Sequence, residues 1–200
     1  MNLSLLKKML AGLVPPYTQL LKMRLMNRKY GNEEWFPVVN KEGRVIGKAP
    51  RSVCHDGKSL LLHPVVHLHI FNRSGKLYLQ KRSMRKDTQP GKWDTSVGGH
   101  ISPDETVADA LKRESREELG LNSFSPQFLG SYVWESPRER ELVNAFSAVT
   151  DQLPEINRDE IDEGRFWSLQ EIRNNLGKEI LTTNFEHEFR LLFANHTDEV

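Results

Sequence analysis

Gly99-His100-Ile101-Ser102-Pro103-Asp104-Glu105-Thr106-Val107-Ala108-Asp109-Ala110-Leu111 runs into Lys112-Arg113-Glu114-Ser115-Arg116-Glu117-Glu118-Leu119-Gly120-Leu121, a helix with a contradiction written into it. Ser102 is a helix cap, Pro103 suits the first helical position, and Glu105 completes a capping box, so the pattern predicts a helix over 103–119. Gly120 closes it in the left-handed conformation that glycine adopts cheaply. At roughly 100° per residue from Val107, Leu111 falls at about +40° and Ala110 at about −60°, with Glu114 at about −20° and Glu118 at about +20° between them. Glu117, at about −80°, borders the same stripe. Lys112 and Arg116 point away. A solvated charged helix would put its acids outside, and this one does not.

Inward-facing carboxylates repel one another and lose hydration unless a cation neutralises them. Hard oxygen donors on one helical face suit Mg²⁺ or Mn²⁺, which keep waters and bridge to phosphates. Arg113 stands one turn before Glu117 and can hold its rotamer through an ion pair. A cation there would neutralise a diphosphate and make a bound water nucleophilic.

The segment resembles the signature of the Nudix family: Gly99, Glu105, Arg113, Glu114, Glu117, Glu118 and Gly120 stand at its fixed spacing. Seven specified positions coincide by chance about 10⁻⁸ of the time at any start point. The departure is Ser115, where the family usually has an apolar residue. The resemblance implies an α/β/α sandwich around a mixed sheet, with metal held by Glu114, Glu117 and Glu118 and helped by the carbonyl of Gly99. It also implies a hydrolase acting on a diphosphate linkage in a small molecule, a nucleoside-diphosphate-type substrate.

Just upstream, Gly91-Lys92-Trp93-Asp94-Thr95-Ser96-Val97-Gly98-Gly99-His100 is similar to type I isopentenyl diphosphate isomerases and their hydrolase-like relatives, a likeness extending over roughly residues 34–170. It implies a second metal set of His55, His63, His100, Glu139 and Glu141, and diphosphate-binding cations at Arg82 and Lys86. The isomerase's catalytic cysteine falls at Gly98, which has no side chain for acid–base work. That leaves three functions open: hydrolase, allylic diphosphate isomerase, and ligand-sensing module without turnover. Glu160 lies in the late loop where many Nudix hydrolases place a catalytic glutamate, so the base is Glu117 or Glu160. Plainer readings stand beside these. Glu139 and Glu141 lie among arginines as surface ion pairs would, Arg82 and Lys86 fit a solvated strand end, and His67 and His69 read as packing residues on a strand.

Outward from this centre, Trp35–Val39 and Arg44–Ile46 read as a hairpin, Pro64–Phe71 as a strand with two different faces, and Lys76–Gln80 as the next strand. A segment Trp93–Val97 precedes the helix; strands near Phe128–Trp134 and Glu141–Val149 follow, then helices at about 168–176 and 183–194. Residues 1–32 form a basic helical extension: Leu3, Leu6, Leu10 and Leu13 recur at helical spacing, Pro15-Pro16 breaks them, and Leu20, Leu21 and Leu25 suggest a second helix. It reads as a hairpin on its own domain or a homodimer arm, with a membrane-surface helix as the alternative. Residues 33–200 are the main domain.

A net charge of +1 gives no reason to expect nucleic acid as a partner. The single cysteine, Cys54, forms no internal disulfide, and no apolar run reaches the roughly 20 residues of a membrane span. The expected compartment is the cytoplasm.

Overall fold

In the computed structural model the described residues are 29–31, 33–150 and 152–194. The chain divides into two compact units, Met1–Glu34 and Trp35–Val200, and every element below belongs to the second. The helices expected around Leu3–Leu13 and Leu20–Leu25 lie outside the described residues.

Strands β1 (Trp35–Val39) and β2 (Val45–Pro50) form an antiparallel hairpin, followed by the single turn α1 (Arg51–Cys54). The main sheet holds β3 (Leu62–Phe71), β4 (Leu77–Arg82), β5 (Trp93–Asp94), β6 (Val97–His100), β7 (Gln127–Glu135), β8 (Arg140–Val149) and β9 (Ile161–Trp167). Its centre is β3, parallel to β8 and antiparallel to β6. Helices α2 (Val107–Leu119), α3 (Leu169–Asn175) and α4 (Thr183–Phe193) cover it. The sheet is therefore mixed and lies between helical layers, as the signature implied.

Alternation along β3 decides what each layer sees. Val66, Leu68 and Ile70 pack with Ala110, Leu111 and Leu119 of α2. The other face carries His63, Val65, His67 and His69, and meets α4 through Phe185 and Phe193. Strands β4 and β5 extend this second core through Leu77, Leu79 and Trp93 against Phe185 and Phe189. Register carries the division to the neighbours: Val66 stands opposite Gly99, His67 opposite Gly98, and His63 opposite Glu141.

Two expectations need correction. The signature helix begins at Val107, not at 103, because Asp104 adopts φ +68° and cannot continue a right-handed helix into Glu105. Ser102 and Glu105 instead form a tight turn, the Ser102 N–H donating to Glu105 Oε2 at 2.9 Å. Thr106 is the cap, accepting from the Asp109 N–H at 3.1 Å. Gly120 does close the helix, at φ +65°. The second correction is β9, which has no counterpart in the sequence reading. Ile161-Asp162-Glu163-Gly164-Arg165 lacks apolar alternation, and the segment becomes a strand through its ladder with β4.

Among the described residues no helix is long and apolar enough to cross a membrane.

Candidate active site

On the α2 face, the carboxylates gather around β6. Glu118 is buried and accepts hydrogen bonds at Oε2 from the Gly98 N–H (3.2 Å) and from Gln80 Nε2 (3.0 Å). Burial pushes its pKa up to about 8, repulsion from Glu114 and Glu160 adds to the rise, and the two donors oppose it. Glu114 rises to about 7, chiefly by burial, against the pull of Arg113. Its side chain lies directly against the Cα of Gly99, where any Cβ would collide with the carboxylate carbon. The glycine of the signature is therefore a space requirement of the glutamate opposite.

Arg113 organises the rest. Its guanidinium donates to Glu105 (2.8 and 2.9 Å), Glu114 (2.8 Å), Glu117 (3.1 Å) and the carbonyl of His100 (2.9 Å). The expected pairing of Arg113 with Glu117 is present, and Glu117 is the outermost acid, its side chain 48% exposed. Glu160, at the entrance to β9, receives Lys86 Nζ at 2.7 Å.

Across β6 lies a different assembly. His55, after α1, joins His63 of β3 and His100 of β6 so that one ligating atom from each lies within 4.8 Å of the others, and His63, Glu139 and Glu141 form an overlapping group. Nε2 of His55 is 3.2 Å from Nε2 of His100 and 3.2 Å from Glu139 Oε2. Phe36 of the hairpin stacks on His100, centroids 4.0 Å apart and planes within 1°. Burial drives His55 down to about 3 and His100 well below its ordinary value, with Arg51 next in importance for both. Burial also lowers His63 and raises Glu139, and it pushes Glu141 up to about 8 with Glu139 adding repulsion.

His63 shows best what this set suits. Its Nδ1 lies 2.9 Å from the Leu61 carbonyl, which places the ring proton there and leaves a lone pair on Nε2. That Nε2 is buried and has no hydrogen-bond partner among the described residues. A neutral imidazole fixed by a carbonyl on one nitrogen and bare on the other is the form that binds a metal ion. The α2 carboxylates fit a divalent ion on different grounds: Glu118 is buried, and among the described residues its partners are the Gln80 amide and the Gly98 N–H rather than a cationic side chain. Among the described residues they do not converge as tightly as the histidines, since Arg113 holds Glu114 and Glu117.

A cavity of about 370 Å³ opens on the histidine side, bounded by His55, His67, Arg82, Gly98, His100 and Glu141 among others. The two cations singled out in the sequence are divided between the assemblies. Arg82 lines the cavity, donating to Asp94 Oδ2 and to the Thr88 carbonyl, both at 3.0 Å. Lys86 sits with Glu160 beside the carboxylates.

With this geometry in place, the profile of the NUDIX domain matches residues 61–187. The chain belongs to the Nudix family. An uncharacterised Nudix hydrolase of Pseudomonas aeruginosa is 30% identical over 142 residues, covering 71% of this chain and 83% of that protein. Isopentenyl-diphosphate Delta-isomerase 1 of Photorhabdus laumondii is 29% identical over 147 residues, covering 70% and 84%. A crystal structure from Deinococcus radiodurans matches with a TM-score of 0.68 and 26% identity, over 80% of this chain and 99% of that one. The chain is thus a Nudix enzyme of the pyrophosphohydrolase type with isomerase-like similarity.

One group near the Nudix cavity escaped the sequence reading. His67 and His69 are not packing residues alone: both reach Glu188 of α4, at 2.8 and 3.2 Å, and Glu188 is fully buried. The signal was present. Glu188 stands three residues after Phe185 and one before Phe189, inside the apolar stripe of α4, the same anomaly that marked Glu114 and Glu118.

Proposed function

We propose that this Nudix enzyme hydrolyses the diphosphate linkage of a nucleoside-diphosphate-type compound, X–O–PO₂–O–PO₂–O–Y, with Mg²⁺ or Mn²⁺. One observation carries the reading: Glu114 and Glu118 are desolvated and mutually repelling around Gly99, whose strand forms the cavity wall on its other side. Divalent ions bound by Glu114, Glu117, Glu118 and the Gly99 carbonyl would neutralise the diphosphate and activate water. Arg82 then supplies positive charge to the phosphates from the cavity side. Arg113 orients Glu114 and Glu117, and Lys86 fixes Glu160 towards the acids. Glu117 or Glu160 takes the proton from water, and Glu160→Gln against Glu117→Gln separates them.

The second reading, an allylic diphosphate isomerase, is favoured by His55, His63, His100, Glu139 and Glu141 lying together. It is opposed by Gly98, where no acid–base side chain exists. A panel of diphosphate compounds, assayed with and without Mg²⁺ or Mn²⁺ for release of phosphate or AMP and for isomer formation, decides between them. Metal-dependent release from at least one nucleotide substrate is expected; turnover of none, with the protein folded, would favour a ligand-sensing module instead.

A further inference from the structure

The Gly98 that removes the isomerase's cysteine also uncovers a neighbour. A Cβ built on Gly98 would meet Cδ2 of His67 at 3.5 Å and Nε2 at 3.6 Å. A Cβ at 98 would thus sit in van der Waals contact with the imidazole edge and with Thr95. With glycine there, His67 borders the cavity. Its Nε2 has no hydrogen-bond partner among the described residues, whereas its Nδ1 lies 2.8 Å from Glu188 Oε2.

Glu188 makes this more than a buried histidine. Its carboxylate is 0% exposed and stands among Phe185, Phe189 and Phe193. A buried carboxylate in aromatic surroundings persists as an anion only when it is paired and hydrogen-bonded. Both imidazoles approach its Oε2, His67 Nδ1 at 2.8 Å and His69 Nε2 at 3.2 Å, the Tyr132 hydroxyl also donates to the carboxylate, and His69 Nδ1 lies 3.3 Å from Thr95 Oγ1. The helix carrying Glu188 is fixed at its start, because Thr182 caps α4 and also donates to Asp94 Oδ1 at 2.8 Å. One buried negative charge between two rings calls for one positive charge, and His67 is the ring that reaches the cavity. Other charged or titratable groups facing the pair are Glu141 of β8, Asp94 of β5, His100 of β6 and Tyr132 of β7. Burial alone would lower His67, but Glu188 outweighs it and the ring is raised to about 9. Burial likewise pushes Glu188 up, and the two imidazoles reverse this and hold it well below the usual carboxylate range.

We propose that His67 contacts the substrate: its imidazolium, held by Glu188, presents Nε2–H to a phosphate oxygen of the diphosphate through the opening left by Gly98. Glu188 is the positioning residue, acting only through His67. The assignment rests on the diphosphate reading above and adds a cationic donor in the cavity wall that no cysteine-bearing sequence at position 98 would expose in the same way.

The test uses the full chain with Mg²⁺ and methylenediphosphonate, a diphosphate that resists hydrolysis. Calorimetry near neutral pH should show a loss of affinity of roughly 10–100-fold in His67→Leu and in Glu188→Gln, the range of a charged hydrogen bond. His67→Gln, whose amide still donates from near the Nε2 position, should recover part of it. In hydrolysis assays these variants should raise KM more than they lower kcat. Nitrogen-15 NMR of histidine-labelled wild type supplies a readout that needs no folded variant: the His67 Nε2 signal should lie in the protonated range and move as the probe saturates. Unchanged affinity in folded His67→Leu, or a His67 signal indifferent to a probe that does bind, would overturn the role of His67 and leave the diphosphate reading standing. Wild-type protein that does not bind the probe would overturn that reading and this assignment with it.

Discussion

Two candidate ligand sets lie on opposite faces of the β3–β6 ladder, and the same force perturbs their carboxylates and their histidines in opposite senses. On the α2 face, burial raises Glu114 and Glu118 to about 7 and 8. On the other face it lowers His55 to about 3 and holds His100 well below its ordinary value. Within each set burial resists the charged form, so Glu114, Glu118 and Glu141 tend to protonate while His55, His63 and His100 stay neutral. For the histidines, neutrality is the state that binds metal. For the acids it is not, and a cation must first pull the protons off. The three histidines are therefore already in the form a metal needs, while Glu141 beside them and the α2 acids, held by Arg113, must first give up protons.

The largest effect that would break this comparison is on turnover. Glu118→Gln or Glu117→Gln should lower the hydrolysis rate by roughly 10²–10³-fold at saturating Mg²⁺, with the fold intact. Near-normal rates in both variants would remove the α2 set from the chemistry.

Next in size is metal selectivity. Nitrogen donors favour softer ions than an all-oxygen set does, so His100→Ala and Glu141→Gln should weaken Mn²⁺ or Zn²⁺ binding by roughly 10-fold or more while sparing Mg²⁺ at the acids. Equal stoichiometry and affinity in wild type and both variants, by metal analysis, would make the histidine set a scaffold only.

These two sets also mark how far the sequence could be read. Glu114, Glu117 and Glu118 belong to one continuous helix, so their convergence follows from helical periodicity and needs no tertiary information. His55, His63, His100, Glu139 and Glu141 come from separate stretches of chain, and only the family resemblance brought them together beforehand. The pairing of His67 with Glu188 spans 121 positions and has no family pattern to announce it. The strands of high apolar content were legible for the same local reason, and β9 was not, because only its ladder with β4 makes Ile161–Trp167 a strand. The helix starts later than the pattern predicts because Glu105 does reach back to the Ser102 N–H, as a capping box would, but the left-handed Asp104 between them ends that turn before the helix begins.

A smaller effect, on stability, separates the faces by sign. Glu118 has a folded pKa above its ordinary 4.5, so the folded state holds extra protons there. Its contribution is complete below pH 4.5 and is lost as pH rises through about 8. His55 is lowered from 6.5 to about 3, so its contribution is complete above pH 6.5 and is lost as pH falls through about 3. Metal-free protein should therefore lose Tm at both ends. Glu118→Gln should flatten only the alkaline fall, and Mg²⁺ should restore wild-type Tm at pH 8 more than at pH 5. An alkaline limb unchanged by Glu118→Gln would show that Glu118 is not the group responsible.

The smallest expected effect concerns the start of α2, which aims the acids. Thr106→Ala should cost about 1 kcal/mol, roughly 2–4 °C in Tm, whereas Ser102→Ala should change little. The reverse ranking in thermal melts would restore the earlier helix start.

The most direct measurement follows isotopes through the reaction itself. With Mg²⁺ present, a nucleotide diphosphate substrate turned over in oxygen-18 water should yield phosphate-bearing product carrying the label, as water attack on phosphorus requires. In parallel, isopentenyl diphosphate incubated in D₂O should return no dimethylallyl diphosphate and no deuterium, because Gly98 offers no acid–base group to move a proton on carbon. Labelled phosphate without isomerisation is the result expected from the carboxylates around Gly99. Deuterium entering an allylic product at a substantial rate, with no oxygen-18 appearing in phosphate, would contradict it and make the histidine face the seat of the chemistry.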